Sequence, residues 1–152
     1  KEQIVDSLNE IFMAIHNRDS LSGIHCCGNT DWTMLMETGV DIINFDAFGY
    51  MDSMLMYRNE VRSFLERGGI IAWGIVPTTD SIKDVTIGDL MDKMTSAVDR
   101  LVDSGIDQKL IVENSLITPS CGTGTMPLED AKKAMTLTHE LTLKLKDKYK
   151  IT

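Results

Sequence analysis

Ile4, Val5, Leu8, Ile11, Phe12 and Ile15 recur at the spacing of one helical face, so the chain opens on an amphipathic helix. Leu21 to Cys27 reads as a strand. Thr30 and Asp31 can cap a short helix running to Glu37, and Gly39 sits where a helix ends before a second strand, Val40 to Phe45. Met54, Leu55, Arg58, Val61 and Leu65 share a helical face closed by Gly68 and Gly69. Ile70 to Val76 is then an almost unbroken apolar run, the pattern of a strand buried on both faces. Ile87, Leu90, Met91, Met94, Ala97, Val98 and Leu101 keep the helical interval up to Gly105, Lys109 to Ile117 supply a fourth strand, and a last helix spans about Leu128 to Lys148.

A helix followed by four strand-helix units predicts an α/β fold on a parallel sheet with right-handed crossovers. Two architectures compete, an open doubly wound sheet and a (β/α) barrel. His25, Cys27, Asp46, Pro77 and Cys121 all fall at or just past carboxyl ends of strands, where barrel enzymes place their chemistry, and this favours the barrel. In a flat sheet ordered as the sequence, strands one and four would stand about 14 Å apart at about 4.8 Å a step. Curvature or reordering is needed to bring Cys121 to His25. A complete eight-stranded barrel takes about 250 residues. The 152 residues therefore read as one domain, the C-terminal half of a (β/α)8 TIM barrel, and the half alone is expected to be inactive. Exposed edges on the first and last strands call for a partner: the N-terminal half or a second copy of the chain.

Composition narrows the function. Hydrophobic residues make up 43% of the chain and charged ones 25%, as in folded domains. With a net charge of −8 and no basic patch, a nucleic-acid interface is not expected. No apolar stretch approaches the length of a bilayer span, and the first residues lack the regions of a signal peptide, so the expectation is a cytoplasmic protein that does not engage a membrane. Three cysteines, two of them adjacent, make a poor disulfide framework and a better set of reduced thiols.

His25-Cys26-Cys27-Gly28-Asn29 and the distant Thr118-Pro119-Ser120-Cys121-Gly122 together offer one imidazole and two thiolates, which can form a zinc site with an open fourth position. Alternation along the strand turns Cys26 away from His25 and Cys27, making it a packing residue. The plainer reading is a strand-end histidine and small core thiols. Asp46 can simply cap the helix that follows it. Trp73 reads as core, His16 and His139 as structural or solvent-facing helix residues, and Glu113 and Asn114 as polar positions inside the fourth strand that could meet a substrate.

The segments HCCGNTDW, INFDAF, IAWGIVPT and TPSCGTGTM resemble the C-terminal barrel of cobalamin-independent methionine synthase and the thiol methyltransferases of the uroporphyrinogen decarboxylase-like superfamily. The resemblance runs from about Leu21 to about Leu145. It implies that His25, Cys27 and Cys121 ligate Zn2+, with Asp46, at the position of a family glutamate, as a further ligand and the catalytic carboxylate, or as a partner orienting His25. It implies an enzyme moving a methyl group to a zinc-activated small thiol such as homocysteine or coenzyme M, from a methyl-folate or a methyl-corrinoid protein. Where the family often has a basic residue shortly after Cys-Gly, this chain has Thr123-Gly124-Thr125-Met126.

Two other classes stay open. A metal-free decarboxylase of the same superfamily would line its site with arginine, yet Arg18, Arg58, Arg62, Arg67 and Arg100 all fall on or beside helices. A non-catalytic zinc-binding module would be closed by four firm ligands, usually in CxxC pairs, which this chain lacks.

Overall fold

The computed structural model describes residues 2–151. Four strands form one parallel sheet in the order of the sequence: β1 (Gly23–Cys26), β2 (Ile42–Phe45), β3 (Ile70–Val76) and β4 (Ser115–Pro119). Helices fill the connections: α1 (Glu2–His16) leads in, α2 (Trp32–Met36) joins β1 to β2, and α3 (Ala47–Met54) and α4 (Arg58–Glu66) join β2 to β3. A 3-10 turn (Asp80–Lys83), α5 (Ile87–Asp103) and α6 (Gln108–Glu113) lead to β4, and α7 (Leu128–Tyr149) closes the described chain. Sequential order is what successive right-handed crossovers produce when their helices stay on one side of the sheet. A doubly wound sheet would reorder its strands about a switch point, and this one does not. No described helix is long and apolar enough to cross a membrane.

The core lies between the sheet and its helices. Trp32, Phe45 and Trp73 are fully buried and stack edge to face at centroid separations of 5.3 and 5.6 Å, joining α2, β2 and β3. Trp73 is therefore a core residue, and its indole Nε1 donates to Ser115 Oγ at 2.8 Å, pinning β3 to β4. Alternation sends Gly23, His25, Asn44, Ala72 and Thr118 to the opposite face. That face is open at its margins: Gly23 and His25 are exposed, as is Leu116 at the start of β4.

Two segments differ from the sequence expectation. The first half of the expected strand 109–117 is α6, so Glu113 and Asn114 are not strand residues. Asp107 accepts a hydrogen bond from Leu110 N and starts the helix, while Asn114 Nδ2 and Ser115 Oγ donate to the Leu110 and Ile111 carbonyls and end it. These caps stabilise a helix over Leu110-Ile111-Val112, a run too short for periodicity to separate the two states. The polar substrate contact expected of Glu113 and Asn114 is thereby removed, because they sit at the amino end of β4, far along the strand from Cys121. The helical face expected over 54–65 is instead split at residues 55–57, which lets the adjacent Met54 and Leu55 both be buried before α4 begins.

Gly74 marks a close approach of the strands. A Cβ there would lie 2.4 Å from the Phe45 carbonyl oxygen and 2.9 Å from Ser120 Cα, so both neighbouring strands close on β3 where it has no side chain. An irregularity in register between Gly74 and Val76 falls at the same point. Bulges of this kind bend and re-aim a strand.

Candidate metal centre

Cys27 follows β1 directly, His25 lies within it, and Cys121 comes two residues after the end of β4. One ligand atom from each of the three lies within 4.8 Å of the others. His25 Nε2 is 3.9 Å from Cys121 Sγ. Residues 96 positions apart meet, so the first and last strands of the sheet converge at their carboxyl ends, as they do when a sheet curls. His25 and Cys27 are exposed and Cys121 half-buried, which leaves one side of the cluster open to an incoming molecule.

Local structure holds the loops that carry these groups. Ser53 Oγ donates to Asn29 Oδ1, tying the loop after Cys27 to α3. The Asp31 carboxylate caps α2 by accepting from Met34 N. On the other side, the Thr78 and Ser120 hydroxyls are paired at 3.1 Å beside Cys121. Cys26 points the other way, packs against the core and donates from Sγ to the Gly28 carbonyl at 3.3 Å.

Asp46 lies beside the cluster but outside it. Its carboxylate accepts from Gly49 N at 2.9 Å and caps α3, so the helix-cap role is present. The side chain that meets the His25 ring is instead Asn44, for which the sequence carried no expectation: Asn44 Oδ1 faces His25 Nδ1 at 2.5 Å. Asn44 Nδ2 donates at 2.9 Å to both the Ala72 carbonyl and Thr118 Oγ1, so one amide links all four strands. Its signal in the sequence was a lone amide in the apolar strand Ile-Ile-Asn-Phe, at the alternation position that pairs with His25.

The electrostatics fit a cation. Burial pushes the Cys121 thiol above its ordinary value, the negative potentials of Cys27 and Asp46 add to that, and Thr78 opposes it. Such a thiol does not ionise unaided at neutral pH, whereas a bound divalent ion favours the thiolate. One imidazole nitrogen and two sulfurs are a donor set suited to zinc, with three protein ligands and a fourth position left open.

His16 and three of the arginines are engaged elsewhere in the fold. His16 is structural, with Nε2 2.7 Å from Asp41 Oδ2. Arg62 donates to the Ser104 carbonyl, Arg67 to the Val40 carbonyl and Arg100 to Asp52. A cavity of about 340 Å³ lies between β4, α5 and α7, and none of the cluster residues lines it. No protein-family model, curated protein or solved structure matches the chain.

Proposed function

We propose that the chain carries the thiol-activating site of a zinc-dependent methyltransferase, built on four strand-helix units of a (β/α)8 barrel. The observation that carries the reading is the mutual approach, within 4.8 Å, of ligand atoms from His25, Cys27 and Cys121 at the carboxyl ends of the first and last parallel strands. His25, Cys27 and Cys121 would hold the ion. Zinc bound there supplies the ionisation of an acceptor thiol at neutral pH and keeps its sulfur nucleophilic.

The rest of the chemistry belongs to the chain. Its open side admits a small thiol such as homocysteine or coenzyme M. In the transfer, the acceptor sulfur forms a bond to the methyl carbon as the donor's bond to that carbon breaks, the donor being a methyl-folate or a methyl-corrinoid protein. Proximity and alignment supply the remaining acceleration. The singly wound sheet, with an inner face open at its margins, supports a barrel closed by further strands, from the same chain or another copy. A superfamily decarboxylase is the weaker reading, since none of Arg58, Arg62, Arg67 and Arg100 lies at a strand's carboxyl end.

X-ray absorption at the zinc edge tests the reading. The expected result is one tightly held zinc per chain with one nitrogen and two sulfur ligands, and a third sulfur when homocysteine or coenzyme M is added. Failure to hold zinc, or a ligand sphere unchanged by either thiol, overturns it.

A further inference from the structure

We infer that Asn44 is a positioning residue that selects the Nδ1–H tautomer of His25 and thereby leaves Nε2 as the nitrogen offered to a metal ion; only the identity of that ion rests on the function proposed above. The deduction starts from a group whose role is unambiguous. The Ala72 carbonyl can only accept, so the atom of Asn44 that faces it at 2.9 Å is the amide nitrogen. Thr118 Oγ1, at 2.9 Å from the same nitrogen, accepts its second proton. The other end of the amide is then its oxygen, which can only accept, and it faces His25 Nδ1. Nδ1 must therefore carry the proton. In the neutral ring that leaves the lone pair on Nε2, the atom directed at Cys121 Sγ.

The same amide couples the two halves of the cluster. His25 is on β1, Asn44 on β2, Ala72 on β3 and Thr118 on β4, three residues before Cys121. Small residues on β3 make the crossing possible, since Ala72 and Gly74 leave the inner face low enough for one side chain to reach from β2 to β4. The ring of a metal-binding histidine is commonly fixed by a partner on its second nitrogen, and loss of that partner costs about 10–100-fold in metal affinity.

The test uses the whole chain labelled with 15N-histidine and free of metal, at a pH where the ring is neutral, with His25 assigned by comparison with His25→Gln. Two-bond proton–nitrogen correlation is expected to show His25 protonated at Nδ1 and bare at Nε2. It should move to the Nε2–H form in Asn44→Leu and keep Nδ1–H in Asn44→Asp, which retains an acceptor. Wild-type His25 protonated at Nε2 overturns the inference, and that measurement needs no variant to fold. Competition with a chelating dye then reads Zn2+ affinity: about 10–100-fold weaker in Asn44→Leu, and restored toward wild type in Asn44→Asp. Equal affinity in Asn44→Leu and wild type counts against the positioning role. If the wild-type chain shows the Nδ1–H ring but holds no zinc, the proposed function fails while the tautomer assignment stands.

Discussion

Cys121 Sγ stands 3.9 Å from His25 Nε2, although the two residues belong to the opposite margins of a four-stranded sheet. Three strand steps would separate them by about 14 Å if the sheet were flat. Curling of the sheet accounts for the difference, and Gly74, at which Phe45 and Ser120 close on β3, is a position that permits it. The candidate site is thus a property of the sheet's shape more than of any one loop.

Gly74→Ala should therefore damage both stability and the site. The added methyl meets backbone on both sides, including the Phe45 carbonyl at 2.4 Å, and backbone cannot move aside as a flexible side chain can. Overpacking of this kind costs about 1–3 kcal/mol. Urea denaturation should show that loss, with weaker zinc binding even under conditions where the variant remains folded. An unchanged midpoint would show that the strands do not approach as closely as described.

The two cysteines of the Cys26-Cys27 pair should separate cleanly. Cys27→Ala and Cys121→Ala each remove a ligand and should lose more zinc affinity than the roughly 100-fold that follows from removing an outer partner. Cys26→Ala should leave zinc stoichiometry intact, because its sulfur faces the core and the Gly28 carbonyl. Loss of zinc in Cys26→Ala with retention in Cys27→Ala would reverse the strand's parity.

Acid should act on stability through Asp41. Partial burial opposes ionisation, but hydrogen bonds from the Ser22 backbone, His16 and the Ser22 hydroxyl outweigh it and hold the carboxyl below its ordinary value of 3.8. A depressed folded pKa means that the unfolded chain binds the proton first as pH falls. The stabilisation is thus fully present above the unfolded value and is lost progressively below it. Thermal unfolding of wild type and Asp41→Asn should show a gap at neutral pH that narrows as pH drops through and below that value. A gap that is constant with pH would mean that the pair does not carry this linkage.

His-x-Cys and the later Cys-Gly were legible in the sequence because they depend on local rules. Alternation within one strand places residues 25 and 27 together, and punctuation by Gly28 and Gly122 marks where strands end. The succession of four strands along the chain and the buried β3 followed from patterns of the same range, whereas the order of the strands in the sheet stayed open between a barrel and a doubly wound fold. Asn44 was not legible as a partner of His25, since its role depends on which residue the neighbouring strand places opposite it and on how far the sheet bends. Nor was α6, where Leu110, Ile111 and Val112 suit either a strand or a short helix and only the Asp107 and Asn114 side-chain bonds decide. Local chemistry is written in neighbours along the chain, whereas cross-strand chemistry appears only once register is known.

Asp46 is where two roles can be separated by one pair of variants. As a helix cap it can be replaced by asparagine, which accepts the Gly49 N–H equally well, whereas alanine removes the acceptor and should cost about 0.5–2 kcal/mol. As a metal ligand it cannot be replaced so easily, because the amide loses the charge that holds a divalent ion. The carboxylate is already engaged by α3 and is not among the three groups that meet within 4.8 Å, so Asp46→Asn should keep both the unfolding midpoint and the zinc stoichiometry. Asp46→Ala should lower the midpoint alone. A loss of zinc in Asp46→Asn at unchanged stability would instead make the carboxylate a direct fourth ligand, displaced from the helix cap when the ion binds.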